Sequence, residues 1–197
     1  MGIADRMFGH PRGRLGWLGG TLMARLSSVR YDWTLELLAI QNQDHVLEIG
    51  FGHGEGIKRM TELAREGKFA GVDVSHEMLS MASRRNAEAI QAGRVDLHLA
   101  SAEALPFANE TFDKVLSTNS IQLWPDQLAG LRELRRVLKT GGRTAISLQP
   151  VEARTEEQAR TIGEKLPSLL IQAGFRNVSL ESKALKPMSA FCALGEK

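Results

Sequence analysis

The run Val46-Leu47-Glu48-Ile49-Gly50-Phe51-Gly52-His53-Gly54-Glu55-Gly56 joins an apolar strand to a glycine-rich turn and then to a helix. Glycine is needed where the backbone takes positive φ or must approach a ligand with no Cβ in the way. A strand-to-helix turn also aims unpaired helix N–H groups at that ligand. The spacing narrows the choice of cofactor. A dinucleotide fingerprint requires G-x-G-x-x-G, but counted from Gly50 the third position is Glu55, and counted from Gly52 it is Ile57. Both frames fail, and what stands is an acid followed by alternate glycines: Glu48, Gly50, Gly52 and Gly54.

A second acid follows at a useful distance. The stretch Phe69-Ala70-Gly71-Val72-Asp73-Val74-Ser75 reads as a buried strand that ends in a carboxylate, and Asp73 lies 25 residues after Glu48. In a βαβ unit, an acid at the tip of the second strand can accept hydrogen bonds from both ribose hydroxyls of a nucleoside held over the first turn. The competing reading is that Asp73 and Ser75 only cap the next helix. Together the two signals resemble the class I S-adenosylmethionine-dependent methyltransferases.

Later segments extend the likeness. Ser101-Ala102-Glu103-Ala104-Leu105-Pro106-Phe107, followed by Phe112 to Ser117, is similar to the adenine loop and fourth strand of that family. Leu123-Trp124-Pro125-Asp126 and the run Leu131 to Gly142 are similar to its next helix and the turn into strand five, and Ala173-Gly174-Phe175 precedes the last two strands. From about Gln41 onward the pattern resembles the small methyltransferases grouped with ubiquinone and menaquinone biosynthesis C-methyltransferases; before Tyr31 the likeness is lost. The resemblance implies an α/β, Rossmann-like methyltransferase fold, a seven-stranded mostly parallel sheet with helices on both faces. It also implies that S-adenosyl-L-methionine is the cofactor.

The alternation of strand and helix agrees with such a sheet. Strands are expected near His45 to Ile49, Phe69 to Val74, Val95 to Leu99, Lys114 to Ser117, Arg143 to Leu148, Arg176 to Glu181 and Ser189 to Leu194. Helices are expected near Trp33 to Leu38, Gly54 to Glu66, His76 to Gln91, Pro125 to Leu138 and Glu156 to Ala173, the last broken or kinked at Pro167. Residues 31–197 form the methyltransferase domain in this reading, and residues 1–30 form an N-terminal arm or lid. That arm carries Arg12 and Arg14 among glycines, and Leu15, Leu18, Leu22 and Leu26 at helical spacing. It can pack on the sheet's edge, cover the acceptor pocket, or rest as a peripheral contact on a lipid surface.

The global numbers fit one enzyme domain. A chain of 197 residues with 43% hydrophobic content can bury a substantial single core. A net charge of +2 is too mild to imply nucleic-acid binding. The single cysteine, Cys192, excludes an internal disulfide and points to a reducing, cytoplasmic setting, and it reads as a buried strand residue rather than a nucleophile. No apolar stretch approaches the ~20 residues needed to span a bilayer.

By resemblance, Gly50, Phe51, Gly52 and Gly54 hold the methionine end of the cofactor, and Glu48 bonds to its amino group directly or through water, or else to nearby backbone amides. Asp73 and Val74 meet the ribose, Met78 packs near the adenine, and Ala102 with Glu103 lies beside the adenine edge. Ser117, Thr118 and Asn119 end strand four next to the reactive methyl. On the acceptor side Tyr31, His53 and Trp124 are the candidate substrate residues, with Tyr31, His53 and His76 the candidate bases; no catalytic residue is assigned. Asn119-Ser120 lacks the Pro-Pro-Tyr sequence of amino-methylating enzymes, and no carboxylate cluster suggests a metal. The expected acceptor is a small or lipid-like molecule, with an RNA or protein methyltransferase, or a cofactor-binding protein without transfer activity, as the alternatives.

Overall fold

The computed structural model describes residues 29–197. Helix α1 covers residues 29–38, and the order continues β1 (His45–Ile49), α2 (Glu55–Leu63), β2 (Lys68–Asp73), α3 (His76–Arg85), α4 (Ala87–Gln91), β3 (Val95–Leu99) and β4 (Phe112–Thr118). A single 3-10 turn at Ile121–Leu123 leads to α5 (Gln127–Val137), β5 (Leu138–Leu148), α6 (Glu156–Gly163), α7 (Lys165–Gln172), β6 (Arg176–Lys183) and β7 (Ala190–Glu196). The seven strands form one sheet in the order β3-β2-β1-β4-β5-β7-β6, and β7 runs antiparallel to both its neighbours.

Alternate residues of the central strands feed two cores, as expected of parallel strands covered on both faces. Leu47 and Ile49 of β1, Val115 of β4 and Ile146 of β5 join one core with Leu131 and Leu134 of α5 and Leu166 and Leu170 of α7. Val46, Leu116 and Ala145 face the other, with Trp33, Leu35 and Leu38 of α1 and Ile57 and Met60 of α2. The chain leaves β1 toward β2 and β3, then returns to place β4 on β1's opposite edge. Ligands bind at such a switch point, outside the carboxyl ends of the strands.

Several expectations need correction. The helix expected over His76 to Gln91 is two helices, because Asn86 is buried between them and spends its amide on Gly54 O and Ala82 O, each 3.0 Å away. The break near Pro167 falls at Glu164, three residues earlier. Proline lacks the N–H that would bond to Gly163 O, so Pro167 sits in the first turn of a new helix, where that group is unpaired in any case. Strand five starts at Leu138 rather than Arg143, and its register with β4 jumps between Phe112/Leu138 and Lys114/Arg143. The extra residues are absorbed around Gly141, at φ 77°. The boundary expected at residue 30 lies inside α1, and the rest of the proposed arm lies outside the described residues.

Candidate functional site

The turn after β1 is shaped by backbone. Gly50, Gly52 and Gly54 all have positive φ, at 75°, 52° and 82°. Their surroundings differ. A Cβ on Gly50 would lie 2.2 Å from Ser120 Oγ, and one on Gly54 would lie 2.8 Å from Ala82 Cα, so these two glycines permit close packing. Nothing lies within 4 Å of the position a Cβ on Gly52 would take. Gly52 therefore opens onto the space outside the strand ends. Helix α2 begins at Gly54 with no side-chain cap, which leaves its first amides available to a ligand.

Asp73 is fixed from both sides. Its Oδ2 accepts from Gly52 N at 2.9 Å and its Oδ1 from Ser75 N at 3.0 Å. Ser75 is the N-cap of α3, its hydroxyl accepting from Met78 N. A carboxylate oxygen has more than one acceptor site, so these bonds orient Asp73 without exhausting it. Val74, the next residue, is 73% exposed, and half-buried Met78 follows one turn along α3, so an apolar shelf adjoins the carboxylate. Phe51 points inward, 1% exposed, where a Cβ on Gly71 would meet its ring, so only its backbone faces the turn.

Glu48 is fully buried, and neither oxygen makes a hydrogen bond of ordinary geometry. Its carboxyl group lies against Gly56 and the Tyr31 ring. Burial pushes it up to about 8, opposed by the Tyr31 hydroxyl and the Ile57 amide and reinforced by the charge on Asp73. Burial and then Glu48 push Tyr31 well above the ordinary phenol value. Ser117, opposite Ile49 in the sheet, is also fully buried with its Oγ unpartnered.

The other expected residues divide. Ala102 is buried and Glu103 half-buried; Glu103 Oε1 accepts from Asp126 N at 3.2 Å and Oε2 bonds to Ser101 Oγ, joining the loop after β3 to the cap of α5. His53 and His76 are exposed on turn and helix start. Trp124 faces the core instead of an open cavity: it is 9% exposed, its Nε1 donates to Ser120 Oγ at 2.8 Å, and a Cβ on Gly130 would strike its ring. Tyr31, at 8% exposure, lies beneath the glycine turn beside Glu48. Both aromatics are buried, with little of either ring open to solvent. Cys192 is fully buried in β7, and burial pushes its thiol up to about 12.

The sequence reading missed a polar seam across the ends of β4 and β5. Asn119 takes φ 54°, and its Oδ1 accepts from Gln149 N at 2.7 Å. Gln149 donates through Nε2 to Met188 O at 2.7 Å and Lys186 O at 3.1 Å, and its Oε1 accepts from Arg30 Nη1 at 2.8 Å. Below it the hydroxyls of Thr34, Ser147 and Thr118 form a buried chain, with links of 2.9 and 3.3 Å. The polar Gln149 before Pro150 was the visible signal for this seam; Arg30 and Thr34 gave none.

Comparison with known proteins decides the family. The methyltransferase domain family matches residues 47–146. This chain belongs to the class I S-adenosylmethionine-dependent methyltransferases. It is 33% identical to the uncharacterized methyltransferase YdaC of Bacillus subtilis, over 91% of this chain and 98% of that protein. It is 36% identical to the ubiquinone/menaquinone biosynthesis C-methyltransferase UbiE of Geobacter sulfurreducens, over 51% of this chain and 40% of that protein. A methyltransferase structure from Methanococcus maripaludis has the same fold, with TM-score 0.72 at 19% identity over 91% of this chain and 89% of that one. Its cofactor is S-adenosylmethionine, and the site fits that group: open space beyond Gly52, an oriented Asp73, and the orphaned Glu48 and Ser117 oxygens at the strand ends. Among the described residues no helix is long and apolar enough to cross a membrane.

Proposed function

We propose that this methyltransferase acts on a small-molecule acceptor, held outside the ends of β4 and β5. The observation that carries the reading is the division of the strand ends, with a backbone-shaped donor half at β1 and β2 and a side-chain-shaped half at Asn119 and Gln149. Bound S-adenosylmethionine would supply a methyl group activated by its sulfonium, open to in-line attack by the acceptor with the neutral thioether S-adenosylhomocysteine as the leaving group. In this reading Asp73 binds the ribose hydroxyls, Val74 and Met78 pack on the adenine, the amides after Gly52 meet the methionine carboxylate, and Glu48 serves the amino group. The chain's contribution is then mainly orientation, which can supply on the order of 7–11 kcal/mol, so no strong base is required. The Geobacter relative's name, for C-methylation in quinone biosynthesis, favours a small acceptor, and a net charge of +2 gives little for nucleic acid to bind.

Incubating the purified protein with methyl-labelled cofactor and a metabolite extract tests this directly. Label should appear in low-molecular-mass products; label only in protein or RNA overturns the small-molecule reading.

A further inference from the structure

Arg30 is a buried cation that, among the described residues, faces no counter-charge. It is 7% exposed, its Nε has no hydrogen-bond partner, and its Nη1 is bound to a neutral amide oxygen, Gln149 Oε1. Among the described residues no carboxylate pairs with it. A buried charge is costly unless paired, and guanidinium presents a planar fork of donors suited to carboxylate or phosphate oxygens.

Its position gives that fork a use. Gly50 packs against Ser120, Ser120 follows Asn119, Asn119 bonds to Gln149, and Gln149 bonds to Arg30. This row runs from the donor turn across the carboxyl ends of β4 and β5, so Arg30 closes it on the side away from Asp73. Gln149 cannot swing away, because two backbone carbonyls hold its amide. A strut between α1 and β5 would be served by Nη1 alone and leaves the buried Nε–H unexplained.

We propose that Arg30, oriented by Gln149, binds an oxyanion on the acceptor, so that the substrates of this enzyme are small acids carrying a carboxylate or a phosphate monoester. The inference deepens the small-molecule reading and rests on it. The test uses full-length protein saturated with S-adenosylhomocysteine and three probes of one shape: benzoate, phenyl phosphate and neutral benzamide. At least one anion should bind and raise the melting temperature where benzamide does not, and the stronger of the two names the oxyanion. In Arg30→Gln the anion's affinity should fall on the order of tenfold or more, while S-adenosylhomocysteine affinity stays within a few-fold. If Arg30→Gln does not fold, Arg30→Lys is scored in its place: it keeps the charge, loses the fork, and should show weakened anion binding. Equal binding of benzamide, no binding of either anion, or undiminished anion binding in the scored variant overturns the proposal. Anion selectivity that depends on Arg30, together with label transfer only to RNA or protein, would instead overturn the small-molecule reading and leave the oxyanion site standing.

Discussion

The two halves of the site are built from different material. Around β1 and β2, position is set by main chain: three glycines at positive φ, amides of Gly52 and Ser75 on one carboxylate, and an uncapped helix start. Around β4 and β5, position is set by side chains from distant parts of the sequence, with Arg30 meeting Gln149 and Thr34 meeting Ser147. A backbone site tolerates little substitution at the glycines that shape it, because their φ values are ones that side chains rarely adopt. A side-chain site can change its ligand without changing the fold.

The sharpest test of that contrast is Gly52→Val. Its left-handed φ strains any branched residue, and its side chain would enter the open space. S-adenosylhomocysteine affinity should fall on the order of a hundredfold, with strain and obstruction acting together. Calorimetry giving wild-type affinity would place the cofactor elsewhere. Asp73→Ala comes next: losing hydrogen bonds to a charged acceptor costs roughly 1.5–3 kcal/mol, or about tenfold and upward in affinity. A folded variant with unaltered affinity would reduce Asp73 to a brace for Gly52 and Ser75.

Glu48 lies buried against Tyr31 beneath the glycine turn, and its prediction concerns pH. Unfolded, the carboxyl group ionises near 4.5, and in the fold near about 8. Between these values the native state keeps a proton that the unfolded chain has released, so stability of the cofactor-free protein should fall as pH rises across that window. Glu48→Gln should flatten the fall by removing the titrating group. Melting curves as steep in the variant as in the parent would show that another group titrates.

The smallest effect on cofactor affinity is expected from Thr34→Val. It removes one link from the buried hydroxyl chain and should cost about 1–3 kcal/mol of stability, because the partners lose a hydrogen bond without regaining water. Cofactor affinity should not move. A matching loss in S-adenosylhomocysteine binding would mean that the two halves are coupled and that the contrast between them is too simple.

The same contrast explains what the sequence disclosed. Glycine spacing and the acid at Asp73 are local, and each has a direct conformational or chemical reason, so the donor half was legible from residues 46–75. Asn86 was not, because a polar residue between two helical stretches gives no sign that its partner is Gly54. Trp124 was open to both a cavity and a packing reading because aromatic character does not say which way a ring faces; the ring packs where Gly130 leaves room for it. The seam from Arg30 to Gln149 spans 119 residues, beyond the reach of any periodicity. Strand five began early because Gly141 let the chain bulge where a plain turn had been expected.

The antiparallel strand β7 also dictates an order of events. Arg143 to Ser147 of β5 pair on one edge with β4, and Arg143 to Leu148 pair on the other with residues 191–196. In synthesis β5 is made before that second partner, and the seam at its tip is completed only when Lys186 and Met188 follow. Until β7 is made, β5 is an edge strand with unpaired amides and carbonyls, the kind of surface that recruits strands from other chains. The vulnerable interval in the life of this protein is therefore the one between the synthesis of β5 and the docking of β7, when the glycine turn after β1 stands beside a sheet still lacking the strand between β5 and β6.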